Sequence, residues 1–271
     1  GAGQSGAQSA GQAAPAPTAS ALNAKEPEQP RYAARTFNSP LALDVWVQET
    51  AELWSIRRIG STPSDAPLEI PACWLWGVRL LAPLDDWGLL RREMNQNEVP
   101  GLITQKAVDS DLRQLAGLTT LRLLDLSASE ITDAGLEYLM DMSALEQLNL
   151  QRTKITDAGL GHLKILTNLK ALIVGWTGIT DAGLIHLKGM TGLQTLMLQA
   201  NPITDLGIEH IKGIGGLQSL TLGGTKITDA ALEHINSMTE LQDLMLQGTS
   251  ITDEGLEHLK GLTKLRRIAL L

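Results

Sequence analysis

Residues 145–168 read LEQLNLQRTKITDAGLGHLKILTN, and residues 169–192 repeat the pattern as LKALIVGWTGITDAGLIHLKGMTG. The tripeptide Ile-Thr-Asp begins at Ile131, Ile155, Ile179, Ile203, Ile227 and Ile251, always 24 residues apart with no insertion or deletion. Ahead of each lies L-x-x-L-x-L, from Leu121/Leu124/Leu126 through to a last copy at Leu265/Ile268/Leu270. The L-x-L half alternates as a short strand does, with every second side chain turned inward. The second half carries apolar residues at helical spacing, such as Leu160, Leu163 and Leu166, with Asp157 or Thr156 as its N-cap. One unit buries about seven aliphatic side chains at ~2 kcal/mol each. Ordering its backbone costs on the order of 30 kcal/mol. A unit alone therefore cannot fold, and neighbours must stack to share one core. Stacked strands form a parallel sheet, and because helices are wider than strands the stack curves with the sheet inside.

Outward from the repeat, the chain divides into three expected parts. Residues 1–38 are rich in Gly, Ala, Gln, Ser and Pro and hold almost no large apolar residues, so they read as a disordered tail. Such tethers slightly favour an extracytoplasmic setting, exported or anchored, over the cytoplasm, and the opening Gly1 reads as that of either a processed mature form or a recombinant one. Residues 39–96 form a helical, Trp-rich cap. Ser39 is its N-cap and Pro40 its first helical position, and Leu43, Trp46, Val47, Thr50 and Trp54 follow one face up to Gly60. Five of the six tryptophans lie between Trp46 and Trp87, which suits a bulky plug for one end of a core. Residues 97–271 form the solenoid. Degenerate copies precede the regular ones: Leu75, Val78 and Leu80 followed by Asp86 to Leu89, and Val108 to Leu115.

These motifs resemble the leucine-rich repeat family, in its 24-residue, bacterial, planctomycete-like form with the ITDAGL signature. The resemblance implies an α/β fold: a right-handed solenoid with a parallel sheet on the concave side and helices on the convex side. It also implies a surface that binds other proteins. The ladder position, usually Asn in the family, here reads Ser129, Thr153, Thr177, Asn201, Thr225 and Thr249. Hydroxyls there are expected to bond the turn backbone of the neighbouring unit.

Composition excludes other roles. The chain has 22 basic and 30 acidic residues, a net charge of −8, which argues against nucleic acid or an anionic membrane as partner. A single cysteine, Cys73, rules out an internal disulfide and reads as a small buried hydrophobe. No apolar run is long enough to span a bilayer. All five histidines share one repeat column, His162, His186, His210, His234 and His258, with Tyr138 in the same place one unit earlier. A straight row is poor metal-binding geometry, and repetition alone accounts for it. Protonation of the row near pH 5–6 is expected to weaken the array. The column Asp133, Asp157, Asp181, Asp205, Asp229 and Asp253 reads as helix capping. The glycines beside it, Gly135 to Gly255, mark close backbone approach, and Ala231 shows that positive φ is not required there. No catalytic, cofactor or metal constellation is present, so no enzyme is expected.

Side chains between the strand leucines should line the concave wall. Among them only Asp125, Asp243 and Arg267 are charged, and charge depletion with apolar residues marks an interface core. The residues expected to bind a protein partner are Asn149, Gln151, Ile173, Trp176, Met197, Gln199, Thr221, Met245 and Gln247. Exposed Trp176 beside an exposed Ile173 would be the hot spot. The expected function is a non-enzymatic interaction scaffold. The alternative is a structural or specificity subunit of a larger multi-protein assembly, an enzyme assembly included. The chain stops inside a strand at Leu271, where self-association or a partner contact is expected.

Overall fold

The repeat register dictates the sheet. The computed structural model describes residues 29–50, 55–82 and 84–270. Within them an 11-stranded sheet runs from the last repeat back to an N-terminal hairpin. Its regular part consists of β7 (Leu123–Asp125), β8 (Gln147–Asn149), β9 (Ala171–Ile173), β10 (Thr195–Met197), β11 (Ser219–Thr221), β12 (Asp243–Met245) and β13 (Arg267–Ala269). All are parallel and paired at a shift of 24 residues, Leu148 against Leu124 and Leu172 for example. The returning segments are α3 (Asp133–Leu136), α4 (Asp157–Leu163), α5 (Asp181–Leu184), α6 (Asp205–Ile211), α7 (Asp229–Ile235) and α8 (Asp253–Leu256). They pack against one another in chain order. The spine between sheet and helices is dry. Leu148, Leu172, Leu196, Leu220 and Leu244 are fully buried, as are Ile131, Ile155, Ile179, Ile203 and Ile227.

Two further units extend the array toward the N-terminus, as the degenerate motifs suggested. These are β5 (Leu75–Leu80) with α1 (Trp87–Gln96), and β6 (Gly101–Ile103) with α2 (Asp109–Leu115). Asp86 caps α1 by accepting from the Leu89 N–H.

The helix expected to start at Ser39 does not form. Residues 43–48 are instead strand β2 (Leu43–Gln48), paired antiparallel with both β5 and β3 (Ile56–Thr62). The Ser39 hydroxyl accepts from the Leu41 N–H in a turn rather than capping a helix. Strand alternation also explains the run. Val45 and Val47 enter the main core while Trp46 faces the other side of the sheet, and β-branched and aromatic residues fill such two-sided strands well. Trp54 and the tail up to residue 28 lie outside the described residues. Structure also begins before residue 39, with β1 (Arg35–Phe37) pairing β4 (Leu68–Ile70). The tryptophan plug is built by Trp76 and Trp87, both buried in the main core, with Phe37 edge-on to Trp76 at 5.5 Å. Cys73 is free and buried, and burial raises its thiol pKa.

Candidate functional site: a partly covered concave wall

Two rows of side chains line the wall, fixed by the strand register. One runs Ile103, Asp125, Asn149, Ile173, Met197, Thr221, Met245, Ala269. The other runs Gly101, Leu123, Gln147, Ala171, Thr195, Ser219, Asp243, Arg267. A third row, just past the strands, holds Gln151, Gly175, Gln199, Gly223 and Gln247. Gly175 makes room for its neighbour, since a Cβ there would come within 2.6 Å of the Gln199 amide carbon.

The wall divides at β9. On its N-terminal side the chain covers itself. Trp46 and Leu75 join Ile103 and Leu123 in a second apolar cluster, with Tyr32, Ile56 and Trp74 packed against it. Gly77 and Gly101 leave space for the Trp46 ring, which lies within 2.7 Å of where either Cβ would stand. Ile56 also lines a narrow cavity with Asn149 and Ile173. Ile173, expected to be exposed, is therefore 1% accessible, and Asn149 is 7% accessible. The Asn149 Oδ1 accepts from the Gln151 N–H at 3.0 Å, a bond that shapes the turn. Beyond β9 the wall opens. Thr195, Met197, Gln199, Ser219, Thr221, Met245 and Gln247 are all partly exposed, as is Gln151 at the rim.

Trp176 is exposed, as expected, at 45% accessible. It occupies a left-handed backbone position, φ +53°, matched by Arg152 at +57°, Ala200 at +56°, Gly224 at +69° and Gly248 at +66°. The Arg152 guanidinium lies over the Trp176 ring, 5.1 Å from its centroid. This orders an otherwise exposed indole.

An ion cluster that sequence reading missed clamps the N-terminal segment to the array. Glu146 is 9% accessible and accepts from Arg31 at 2.9 Å, from Lys170 at 2.9 Å and from Arg122. Arg31 in turn lies 3.9 Å from the Trp74 ring centroid. Burial of Glu146 raises its pKa, but the hydrogen bonds and charges of Lys170 and Arg31 outweigh it, and the net direction is down. Arg122, Glu146 and Lys170 share one repeat column, where later units carry Gln194, Gln218 and Gln242. That change of chemistry within a column was the available signal.

The remaining columns are structural. The aspartates from Asp133 to Asp229 each reach forward one unit: Asp133 accepts from the Thr156 N–H at 2.7 Å and hydroxyl at 2.5 Å, and Asp157 does the same for Thr180 at 2.7 and 2.6 Å. Threonine is the N-cap and aspartate the tie between units. Ladder threonines turn inward to their own unit, Thr153 to the Leu150 carbonyl and Thr225 to Leu222, both at 2.6 Å, and Thr177 bonds both Val174 of its own unit and Asn201 of the next. Asn201 alone in that column, among the described residues, reaches the preceding unit, donating to the Val174 carbonyl at 2.8 Å. His162 lies 4.0 Å from Glu137 and His258 3.8 Å from Glu233. No three His, Cys, Asp or Glu side chains among the described residues converge as a metal site requires. No helix among them is long and apolar enough to cross a membrane.

The leucine rich repeat family matches at residues 117–140 and 166–187. The array is a leucine-rich-repeat solenoid. Among solved structures the leucine-rich-repeat chain is similar to an internalin, InlF, from Listeria monocytogenes, at 26% identity and a TM-score of 0.56. The match covers 69% of this chain and 52% of that one, so the chain spans about half the internalin's length. Internalin C2 from the same organism shares the fold at 22% identity and a TM-score of 0.58, over 77% of this chain and 87% of that one. No curated protein gives a match. Solenoids of this class are, in general, scaffolds for protein interaction.

Proposed function

We propose that the chain is a non-enzymatic scaffold that grips a protein partner on the open wall of β10 to β12, with Trp176 as an anchor at its rim. The observation that carries this reading is a contrast of surfaces. The open wall presents Thr195, Met197, Ser219, Thr221 and Met245, partly exposed and uncharged. The helices behind it carry the ion pairs Lys212–Glu209 and Lys260–Glu257. Depleted charge with methionine and an aromatic anchor is the composition of an interface core. Ile173 and Asn149 take no direct part, because the chain's own residues cover them. They support the wall from its closed side.

The test is affinity capture from the native source with wild-type protein and with a Met197→Asp/Met245→Asp variant. The reading expects a partner whose recovery falls at least about tenfold in the variant, while the melting temperature holds. Loss of the same partner on Trp176→Ala would add the anchor. Stoichiometric co-purification that survives all three changes favours instead a structural or specificity subunit held elsewhere in an assembly.

A further inference from the structure

We propose that the face formed by β2, β3 and β5 holds a carboxylate-binding site, with Arg58 and Arg79 as the donors and Trp46 and Ile56 as apolar walls. A cavity of about 300 Å³ lies there, lined by these four residues and Asp44. It is built rather than incidental. A bulge between Val45 and Trp46 shifts the hairpin register, so that Arg58 instead of Ile59 stands opposite Trp46. Bulges commonly re-aim a side chain in this way. On the other side of β2, Arg79 is the direct cross-strand partner of Asp44. Both arginines thus flank one strand, on the face that Trp46 shares.

Their roles differ. Arg58 is held in place: its Nε donates to Asp44 at 2.8 Å and its Nη2 to the Ser61 hydroxyl, which itself donates to Asp44 at 2.7 Å. Two of its five N–H groups are used and three remain. Arg79 is exposed and forms no ion pair among the described residues. Asp44 is partly buried, which alone would raise its pKa. The bonds from Ser61 and Arg58 outweigh this, the net direction is down, and the carboxyl stays ionised at neutral pH. The cavity therefore carries two cations and one anion within a chain of net charge −8. Its surplus of one positive charge suits a monoanion, and Asp44 disfavours a phosphate dianion.

The apolar floor is fixed in place. Trp46 is 2% accessible, its ring edge held against Gly77 and Gly101. Planar guanidinium groups bind planar carboxylates with two parallel bonds, while Trp46 and Ile56 suit an apolar stem behind the charge. This site stands apart from the open wall and does not depend on it.

The experiment titrates the full chain with benzoate, with neutral benzamide and with inorganic phosphate, following the indole N–H resonances by NMR. Two capped peptides separate the sources: one has a glutamate side chain and a blocked C-terminus, the other glutamine and a free one. Benzoate is expected to move one indole resonance, benzamide none, and Arg79→Gln to weaken binding about tenfold or more, with Arg79→Lys recovering part of it. Arg79 is exposed and unpaired, so its replacement leaves the fold intact. Response to one peptide over the other names a side chain or a chain terminus as the natural source. Equal binding of benzamide, binding unchanged in Arg79→Gln, phosphate binding tighter than benzoate, or no response from any indole overturns the proposal.

Discussion

An aspartate of one unit bonding the threonine of the next is repeated from Asp109–Thr132 to Asp229–Thr252, and it accounts for two sequence columns together. A Cβ at Gly159 would stand 2.4 Å from Asp133 Oδ1, and one at Gly183 2.3 Å from Asp157 Oδ1. The glycines exist to let the carboxylates in. Where Ala231 replaces glycine, the Thr228 hydroxyl sits 2.8 Å from Asp205, the longest hydroxyl bond of the series. Asp133→Ala should cost about 1–3 kcal/mol in urea unfolding, and Gly159→Ala a similar amount. The double variant should cost clearly less than their sum, because removing the carboxylate makes room for the methyl group. Gly224→Ala, where the Cβ would meet nothing closer than 3.8 Å, should cost only the ~1 kcal/mol of left-handed strain and add to Asp133→Ala. Strict additivity of the first pair would refute the account of the glycine column.

Acid stability is also decided at single residues. The Thr252 hydrogen bonds lower the Asp229 pKa, and Lys170 and Arg31 overcome burial to lower that of Glu146. A carboxyl whose folded pKa lies below its unfolded value gives stability that is present above the unfolded value. That stability is lost as pH falls through the folded one. The melting temperature should therefore hold from pH 8 to about 5 and fall between about pH 5 and 3. Glu146→Gln should flatten the lower part. Of the histidine row, expected to repel itself on protonation, His162 and His258 lie beside Glu137 and Glu233 of the preceding units, which offsets repulsion at those two positions.

Among elements, the hairpin of β2 and β3 shows where periodicity misleads. Leu43, Trp46, Val47 and Thr50 fit a helical face by spacing, yet Leu43, Val45 and Val47 also alternate, and the alternation wins because β5 supplies a paired edge. The spacing of one short run cannot choose between these outcomes without its neighbour. Gly77 and Gly101 record the choice, since both lie under Trp46. Gly101→Ala would place its Cβ 2.6 Å from the indole and 3.0 Å from the Trp76 carbonyl. Overpacking of this kind should lower stability by about 1–3 kcal/mol. Differential scanning calorimetry checks this, and an unchanged transition would mean that the indole lies elsewhere.

Across the whole molecule, the solenoid was legible because 24-residue spacing repeats the same small decision. Leu124, Leu148, Leu172, Leu196, Leu220 and Leu244 all stack where the spacing puts them. The row Asn149, Ile173, Met197, Thr221, Met245 was equally readable as concave. What covers that row was not, because a repeat specifies which side a residue faces and says nothing of a distant segment that folds back on it. Arg31 reaching Glu146 spans 115 residues of sequence, and Ile56 reaching the same wall belongs to a strand that the repeat does not contain. Trp176 and Met197 remained accessible because they lie past the closed half.

Methionine oxidation tests the openness of the wall most directly, because the chain has seven methionines, of which Met197 and Met245 lie on the open wall and four are buried in the core. Treatment of the folded chain with dilute peroxide, read by peptide mass spectrometry, should oxidise Met197 and Met245 of the open wall and exposed Met140. Met94, Met142, Met190 and Met238, at most 2% accessible, should stay protected. Protection of Met197 and Met245 to the level of that second group would mean that the wall is already occupied, and would contradict the proposed partner site.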